Sequence, residues 1–343
     1  MLLLSEADRA LGRLAGAGRL LPNPHILVRP YVAREALASS RIEGTQASLS
    51  DIFDATARGA AEGDVRKVTN YIDALDWGLA RLATLPLSMR LLREMHERLM
   101  AGVRGEERRP GQVRTSPNWI GSPDNRPETA VFVPPPVDAM QDALTDWERF
   151  VNDEVPIPPL VKCALLHYQF ETIHPFLDGN GRLGRLLIVL FMIEEGLMSA
   201  PLLYVSSYFE THRSEYYDRL QLVRERGQID EWLQFFFKAV ALQAKDAVSR
   251  AERLADLRET YRQITSRTRS RAREVVELLF ENPVVTVGYV AGRLRMTPQG
   301  ANNLLDRLHD DGIVQGLTRI PGRSKRWVAH SILEVLEGGT NGA

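Results

Sequence analysis

Apolar residues recur three or four positions apart through most of this 343-residue chain, and that spacing commits it to a mainly α fold. Residues 32–42, 64–83 and 88–100 follow the pattern, punctuated by Gly44, Gly59, Gly63 and Pro86. The stretch 105–136 breaks it, because Gly, Pro, Asn, Asp and Arg dominate there and only 118–120 and 130–133 are β-prone. The expectation is a small β-hairpin on a helical body. Helical spacing resumes over 137–150, 160–172, 181–195 and 216–244, and a polar helix over 245–269 follows.

The C-terminal part changes rhythm. It reads as a helix (272–280), a short strand (284–287), two helices (288–294 and 298–311) and two strands (313–317 and 326–329) joined by Pro321-Gly322-Arg323-Ser324. Three helices with a hairpin in that order predict a winged helix-turn-helix. Between Arg267 and His330 there are eleven Lys or Arg against six Asp or Glu, an excess hidden in the whole-chain net charge of −1. With Gln299, Asn302 and Asn303 opening the second helix of the turn and Arg319, Arg323, Lys325 and Arg326 on the wing, DNA is a candidate partner. Protein contact or dimerisation is the competing use.

A composition of 44% hydrophobic and 25% charged residues is that of an ordinary globular protein and selects no function class. One cysteine, Cys163, excludes an intrachain disulfide and a cysteine metal cluster. Met1-Leu2-Leu3-Leu4 lacks a basic region before it, and no run of about 18 apolar residues occurs. The cytoplasm is therefore the expected compartment, without membrane contact.

Residues 174–185, His-Pro-Phe-Leu-Asp-Gly-Asn-Gly-Arg-Leu-Gly-Arg, carry the chemistry. Gly179, Asn180 and Gly181 precede an apolar-periodic helix, so backbone N–H groups can approach an anion at a helix N-terminus. Arg182 and Arg185 lie three apart, on one face, and can fork onto successive phosphates. Asp178, a carboxylate beside phosphates, calls for a divalent cation between them, with Mg2+ the usual choice. His174 at the mouth of the loop is the natural base for an incoming hydroxyl. Phe176 reads as a core anchor. No His-x-x-x-His set accompanies the segment, which argues against a metal hydrolase.

This segment matches the Fic motif H-P-F-x-[DE]-G-N-G-R-x-x-R in full, and residues 92–244 resemble a Fic domain. The resemblance implies AMP transfer from Mg-ATP to a hydroxyl of a target protein, with His174 as general base and Asp178 as the Mg2+ ligand. It further implies an anion hole to which Asn180 and Gly181 contribute, nucleotide binding at Gly179, and β- and γ-phosphate contacts from Arg182 and Arg185. Gly111 to Arg114, then Asn118-Trp119-Ile120-Gly121 and Pro134-Pro135-Pro136, are similar to the flap that holds the target segment by strand pairing. Tyr216-Tyr217 resembles a tyrosine pair near adenine; Arg224 stands where some members place an Asn against the base.

Ser39-Ser40-Arg41-Ile42-Glu43-Gly44 matches the pattern [ST]-x-x-x-E-[GN] of an inhibitory helix in the same family. By that resemblance Glu43 pairs with Arg185 and takes the guanidinium needed for the γ-phosphate. The expected plan is an N-terminal helical segment with the brake (1–91), a Fic helical bundle with a β flap (92–244), a linker helix (245–270) and the winged helix (271–335), with a homodimer left open. Removal of AMP from a target, transfer of another phosphate-containing group, and a nucleotide-sensing DNA-binding regulator are the alternatives.

Overall fold

A computed structural model describes residues 2–20, 24–103, 108–124, 126–266, 270–317 and 325–338. The N-terminal helices are α1 (Leu2–Leu20), α2 (Pro24–Ile42), α3 (Leu49–Arg58), α4 (Gly63–Leu82) and α5 (Met89–Leu99). After the irregular segment come α6 (Val137–Asn152), α7 (Pro159–Ile173), α8 (Asn180–Glu194), α9 (Ser206–Thr211), α10 (Arg213–Arg226) and α11 (Ile229–Thr265). The C-terminal part holds α12 (Ala272–Glu281), β1 (Val284–Thr286), α13 (Val287–Leu294), α14 (Pro298–Asp310), β2 (Gln315–Leu317), β3 (Arg326–Val328) and α15 (His330–Glu337).

The helix that follows the phosphate-type segment is the centre of the molecule. In α8 nearly every side chain from Asn180 to Met192 is buried, as a helix apolar on all sides must be. It packs on α2, α4, α5 and α7. Its neighbour α7 ends at His174, which adopts a left-handed conformation (φ 49°) and donates its N–H to Phe170 O at 2.9 Å. Pro175 helps to end α7 there, since a residue before proline is driven out of the right-handed helical region.

Two expectations change. The stretch 216–244 was expected as one helix followed by a separate linker, but the chain breaks at Gly227 (φ 67°) and then runs without interruption from Ile229 to Thr265. Glycine at that left-handed position closes α10 without strain. The polar segment beyond 244 is no free linker, because α1 lies along α11, Tyr31 Oη donates to Ala247 O at 3.1 Å and Arg34 pairs with Asp246 at 2.9 Å. The second change is in the flap: the expected hairpin reduces to one antiparallel bridge, Ile120 with Phe132, made by N–H···O bonds of 2.9 and 3.2 Å. The flanking groups bond elsewhere, for example Asn118 Nδ2 to Phe176 O at 3.2 Å.

In the C-terminal part the antiparallel sheet has the order β1-β3-β2. The amides of Gln299 and Asn303 bond each other at 2.8 Å, and Asn302 donates to Asp306 at 2.6 Å. Arg319 and Arg323 lie outside the described residues. Helix α15 follows β3 and returns to α2, α3 and α11. Asn282 Nδ2 donates to Phe53 O at 3.1 Å and Arg326 meets Asp54 at 3.6 Å, so this part is docked against the N-terminal helices. None of the described helices is long and apolar enough to cross a membrane.

Candidate active site

The loop between α7 and α8 is closed by its own asparagine. Asn180 Oδ1 accepts Phe176 N–H at 2.9 Å and Asn180 Nδ2 donates to Phe176 O at 2.7 Å. The side chain is therefore a staple, and what Asn180 can offer an anion is backbone. Gly179 caps α8 in the left-handed region (φ 78°); a Cβ there would sit 2.9 Å from Met100 Sδ and 3.2 Å from His96 Nε2. Asp178 Oδ1 accepts Gly179 N–H at 2.6 Å. A Cβ on Gly181 would collide with Glu43 Oε1. The Glu43 carboxylate thus rests on the N-terminus of α8, the place where helix geometry favours an anion.

The two arginines differ in what they have. Arg185, 1% exposed, donates from Nε to Ser39 Oγ (2.8 Å) and from Nη2 to Ser39 O (2.9 Å) and Glu43 Oε1 (2.8 Å). Both residues singled out on the Ser39 to Gly44 segment therefore touch it. Among the described residues Arg182, 6% exposed, bonds only Met100 Sδ at 3.3 Å, while its Nε and Nη1 are buried without a partner.

Charge and burial set the protonation states. Burial pushes the His174 imidazole down to about 4, so at neutral pH it is an uncharged base. Burial also works to raise the Glu43 carboxyl, but Arg185, aided by Arg182, outweighs it and leaves the group below the ordinary carboxylate range. Glu171, one turn before His174 on α7, is pushed up by burial to about 7; its Oε1 has no partner and its carboxyl lies against Gly184.

The tyrosine pair divides. Tyr216 is in the core, with its hydroxyl 2.9 Å from His167 Nε2, and His167 Nδ1 is 2.9 Å from Gly184 O. A carbonyl only accepts, so Nδ1 carries the proton and Tyr216 donates to Nε2. That hydroxyl is thus engaged with His167, and Tyr217, 39% exposed, is the ring open to a ligand. Arg224 lies over the Phe132 ring (3.8 Å) and donates to Thr172 Oγ1 at 3.1 Å; it fastens the flap to α7. Trp119 and Ile120 are half-buried, and Gly121 (φ 71°) is exposed with Val131 against its Cα.

Two residues here carry no sequence signal. Arg114, fully buried, donates to His174 O (3.0 Å), Ser116 O (3.2 Å), Ile173 O (3.5 Å) and Pro135 O (2.5 Å), tying both ends of the flap to the loop. His96, which helical spacing places in the core, has both ring nitrogens bonded to the site.

Fold and site together define a helical protein with an anion seat at the N-terminus of its central helix and a carboxylate lying in that seat. The sequence matches the model described as "Fic/DOC family N-terminal" over residues 1–80 and that described as "Fic/DOC family" over residues 86–192. The chain belongs to the Fic/DOC family. It is 31% identical over 147 residues to "Protein adenylyltransferase fic-1" of Caenorhabditis elegans, covering 42% of this chain and 25% of the relative. It is 29% identical over 203 residues to "Protein adenylyltransferase Fic" of Aedes aegypti, covering 57% and 37%. The chain thus spans a quarter to little more than a third of these relatives. A Fic family protein from Desulfovibrio desulfuricans G20 superposes with a TM-score of 0.62 at 22% identity, covering 96% of both chains. Fic-1 (residues 134–508) of C. elegans gives 0.54 at 21%, covering 74% and 72%; both likenesses concern the fold.

Proposed function

We propose that this chain is a protein adenylyltransferase, which moves AMP from Mg-ATP to a Ser, Thr or Tyr hydroxyl of a target protein, and that Glu43 restrains it. One observation carries the reading: a buried Arg182 guanidinium with Nε and Nη1 unpartnered. A buried guanidinium with unpaired donors is unfavourable, and although Asp178 and Glu43 act on it electrostatically neither bonds it, so the site suits a further anionic ligand, and the N–H groups of Asn180 and Gly181 at the α8 N-terminus suit phosphate oxygens. Curated relatives carry the name protein adenylyltransferase.

In the proposed reaction the target hydroxyl attacks the α-phosphorus, the bond to the bridging oxygen breaks, pyrophosphate leaves and the hydroxyl proton passes to His174. An imidazole held neutral by burial is ready to take it. Arg182 and Arg185 hold the β- and γ-phosphates, and the N–H groups of Asn180 and Gly181 stabilise charge developing on phosphate oxygen, the Gly179 N–H being taken by Asp178 Oδ1. Asp178 is the one carboxylate of the loop, and no cluster of three metal-type ligands occurs among the described residues. That donor set suits Mg2+, which takes one or two carboxylates and completes its shell with phosphate and water. When bound it neutralises phosphate charge. Tyr217 faces the base, and the Trp119-Ile120-Gly121 segment holds the target by main-chain pairing.

The test is incubation with labelled ATP, Mg2+ and lysate, followed by mass spectrometry of the labelled proteins. AMP adducts formed by Glu43→Gly and absent with His174→Ala support the reading; label from the γ-phosphate, or none at all, overturns it.

A further inference from the structure

His96 is 1% exposed on α5, and its ring stacks on Phe176 with centroids 3.9 Å apart and planes at 11°. Burial of a histidine in a helical core usually means packing. Here both nitrogens have directional partners outside α5. Nδ1 receives the Gly111 N–H at 2.8 Å, and Nε2 lies 2.9 Å from Asp178 O. An amide N–H can only donate and a carbonyl can only accept, so the ring is the neutral Nε2–H tautomer.

The two partners belong to the two halves of the site. Asp178 and the adjoining Gly179 form the turn that opens α8. Gly111 begins the chain that continues through Arg114 to the Ile120 bridge, and its peptide is gripped from the other side by Arg93 Nε, which donates to Gly111 O at 2.8 Å. Gly111 has φ 76°, and a Cβ there would come within 3.2 Å of Arg93 O. One turn beyond His96, Met100 meets Arg182. A single face of α5 therefore touches the phosphate arginine, the metal-type turn and the root of the flap.

We propose that His96 is a positioning residue with two separable duties: its Nε2–H holds the Asp178 turn in register for Mg-ATP, and its Nδ1 holds the root of the flap for the target. The proposal rests on the proposed function, through Mg-ATP binding for the first duty and through transfer to a target for the second. An asparagine at 96 keeps an acceptor near the Nδ1 position and loses the Nε2 donor; a glutamine reaches the Nε2 position with an amide donor and loses the acceptor.

The experiment compares His96→Asn and His96→Gln in the Glu43→Gly background, using calorimetry with Mg2+ and a non-cleavable ATP analogue, the rate of AMP labelling at saturating Mg-ATP, and 15N detection of the His96 tautomer. The expected result is that His96→Asn weakens nucleotide binding about fivefold, as befits one lost hydrogen bond. His96→Gln binds within about twofold of its parent yet labels more slowly. The spectra show Nε2–H.

Equal losses in both variants, as a purely structural role predicts, overturn the proposal, as does an Nδ1–H tautomer. Absence of nucleotide binding by Glu43→Gly itself overturns it together with the proposed function. Separated binding effects without AMP labelling by any variant sink the transferase reading and leave the Asp178 duty supported.

Discussion

Arg185 Nη2 donates to Glu43 Oε1 across 2.8 Å, joining residues 142 positions apart. The contact has a second holder, because Ser39 accepts from the same guanidinium through Oγ and its carbonyl. Removing the carboxylate therefore leaves Arg185 partnered. Glu43→Gly is expected to raise AMP labelling by about tenfold or more, the order set by one charge-assisted bond plus release of the anion seat. Stability is expected to fall by about 1–3 kcal/mol, since Arg185, 1% exposed, keeps only the neutral Ser39 groups as bonding partners. Unchanged labelling would show that Glu43 is no brake.

Arg182 leads to the opposite trade. Among the described residues its buried Nε and Nη1 lack hydrogen-bond partners, so Arg182→Met removes two unpaired buried donors and keeps the volume. The variant should be more stable by about 1 kcal/mol, or ~2 °C in Tm, while Mg-ATP affinity falls about tenfold or more through loss of a forked phosphate contact. Thermal unfolding without nucleotide and a nucleotide titration measure the two effects. A destabilised variant with normal affinity would mean that Arg182 serves the fold.

Helical spacing in the sequence located the bundle closely: the stretches expected over 137–150, 160–172 and 181–195 became α6, α7 and α8. Such elements are legible because burial on one face, or on all faces for α8, writes itself into the apolar pattern. The motif was legible because its chemistry is local. Arg114 and His96 were not, since their partners are main-chain groups on other segments, and a carbonyl leaves no mark on sequence. Helix was expected on both sides of residue 244, but the continuity of α11 was not, because its outer face is polar and Ala247, Ala251 and Leu254 on the inner face are small or sparse. The flap keeps a single strand-like pairing: of the β-prone residues at 130–133, Phe132 bridges to Ile120 while the Ala130 N–H turns back to Pro127 O.

His174 yields a prediction on pH. Its imidazole is depressed from 6.5 to about 4 by burial, so the catalytic base stays uncharged down to about pH 5. Labelling by Glu43→Gly at saturating Mg-ATP should fall less than about twofold between pH 7.5 and 5.5, whereas an ordinary histidine would lose about tenfold. The stability sign is separate. The unfolded chain binds this proton below about 6.5 and the native one only near 4, so acid favours unfolding across that window. A rate that halves near pH 6.5 in a protein whose fold is intact would refute the neutral-base assignment.

Glu35 ties α2 to the body. It is fully buried on α2, accepts from Ser206 N at 3.2 Å, from Ser206 Oγ and from Tyr71 Oη at 3.3 Å, and burial raises its carboxyl from 4.5 to about 7. A carboxyl raised in the native state binds its proton more tightly there than in the unfolded chain. Its contribution is fully present below pH 4.5 and is lost as pH rises through 7, a loss of up to about 3 kcal/mol. Glu35→Gln keeps an acceptor and a donor but carries no charge to desolvate. The variant is therefore expected to match the parent in Tm near pH 4.5 and to exceed it by several degrees at pH 8. The Arg185 to Glu43 contact, two turns away on the same helix, is left in place, so labelling by the variant at pH 8 stays low. A Tm difference that is the same at both pH values would mean that folding does not raise the Glu35 carboxyl.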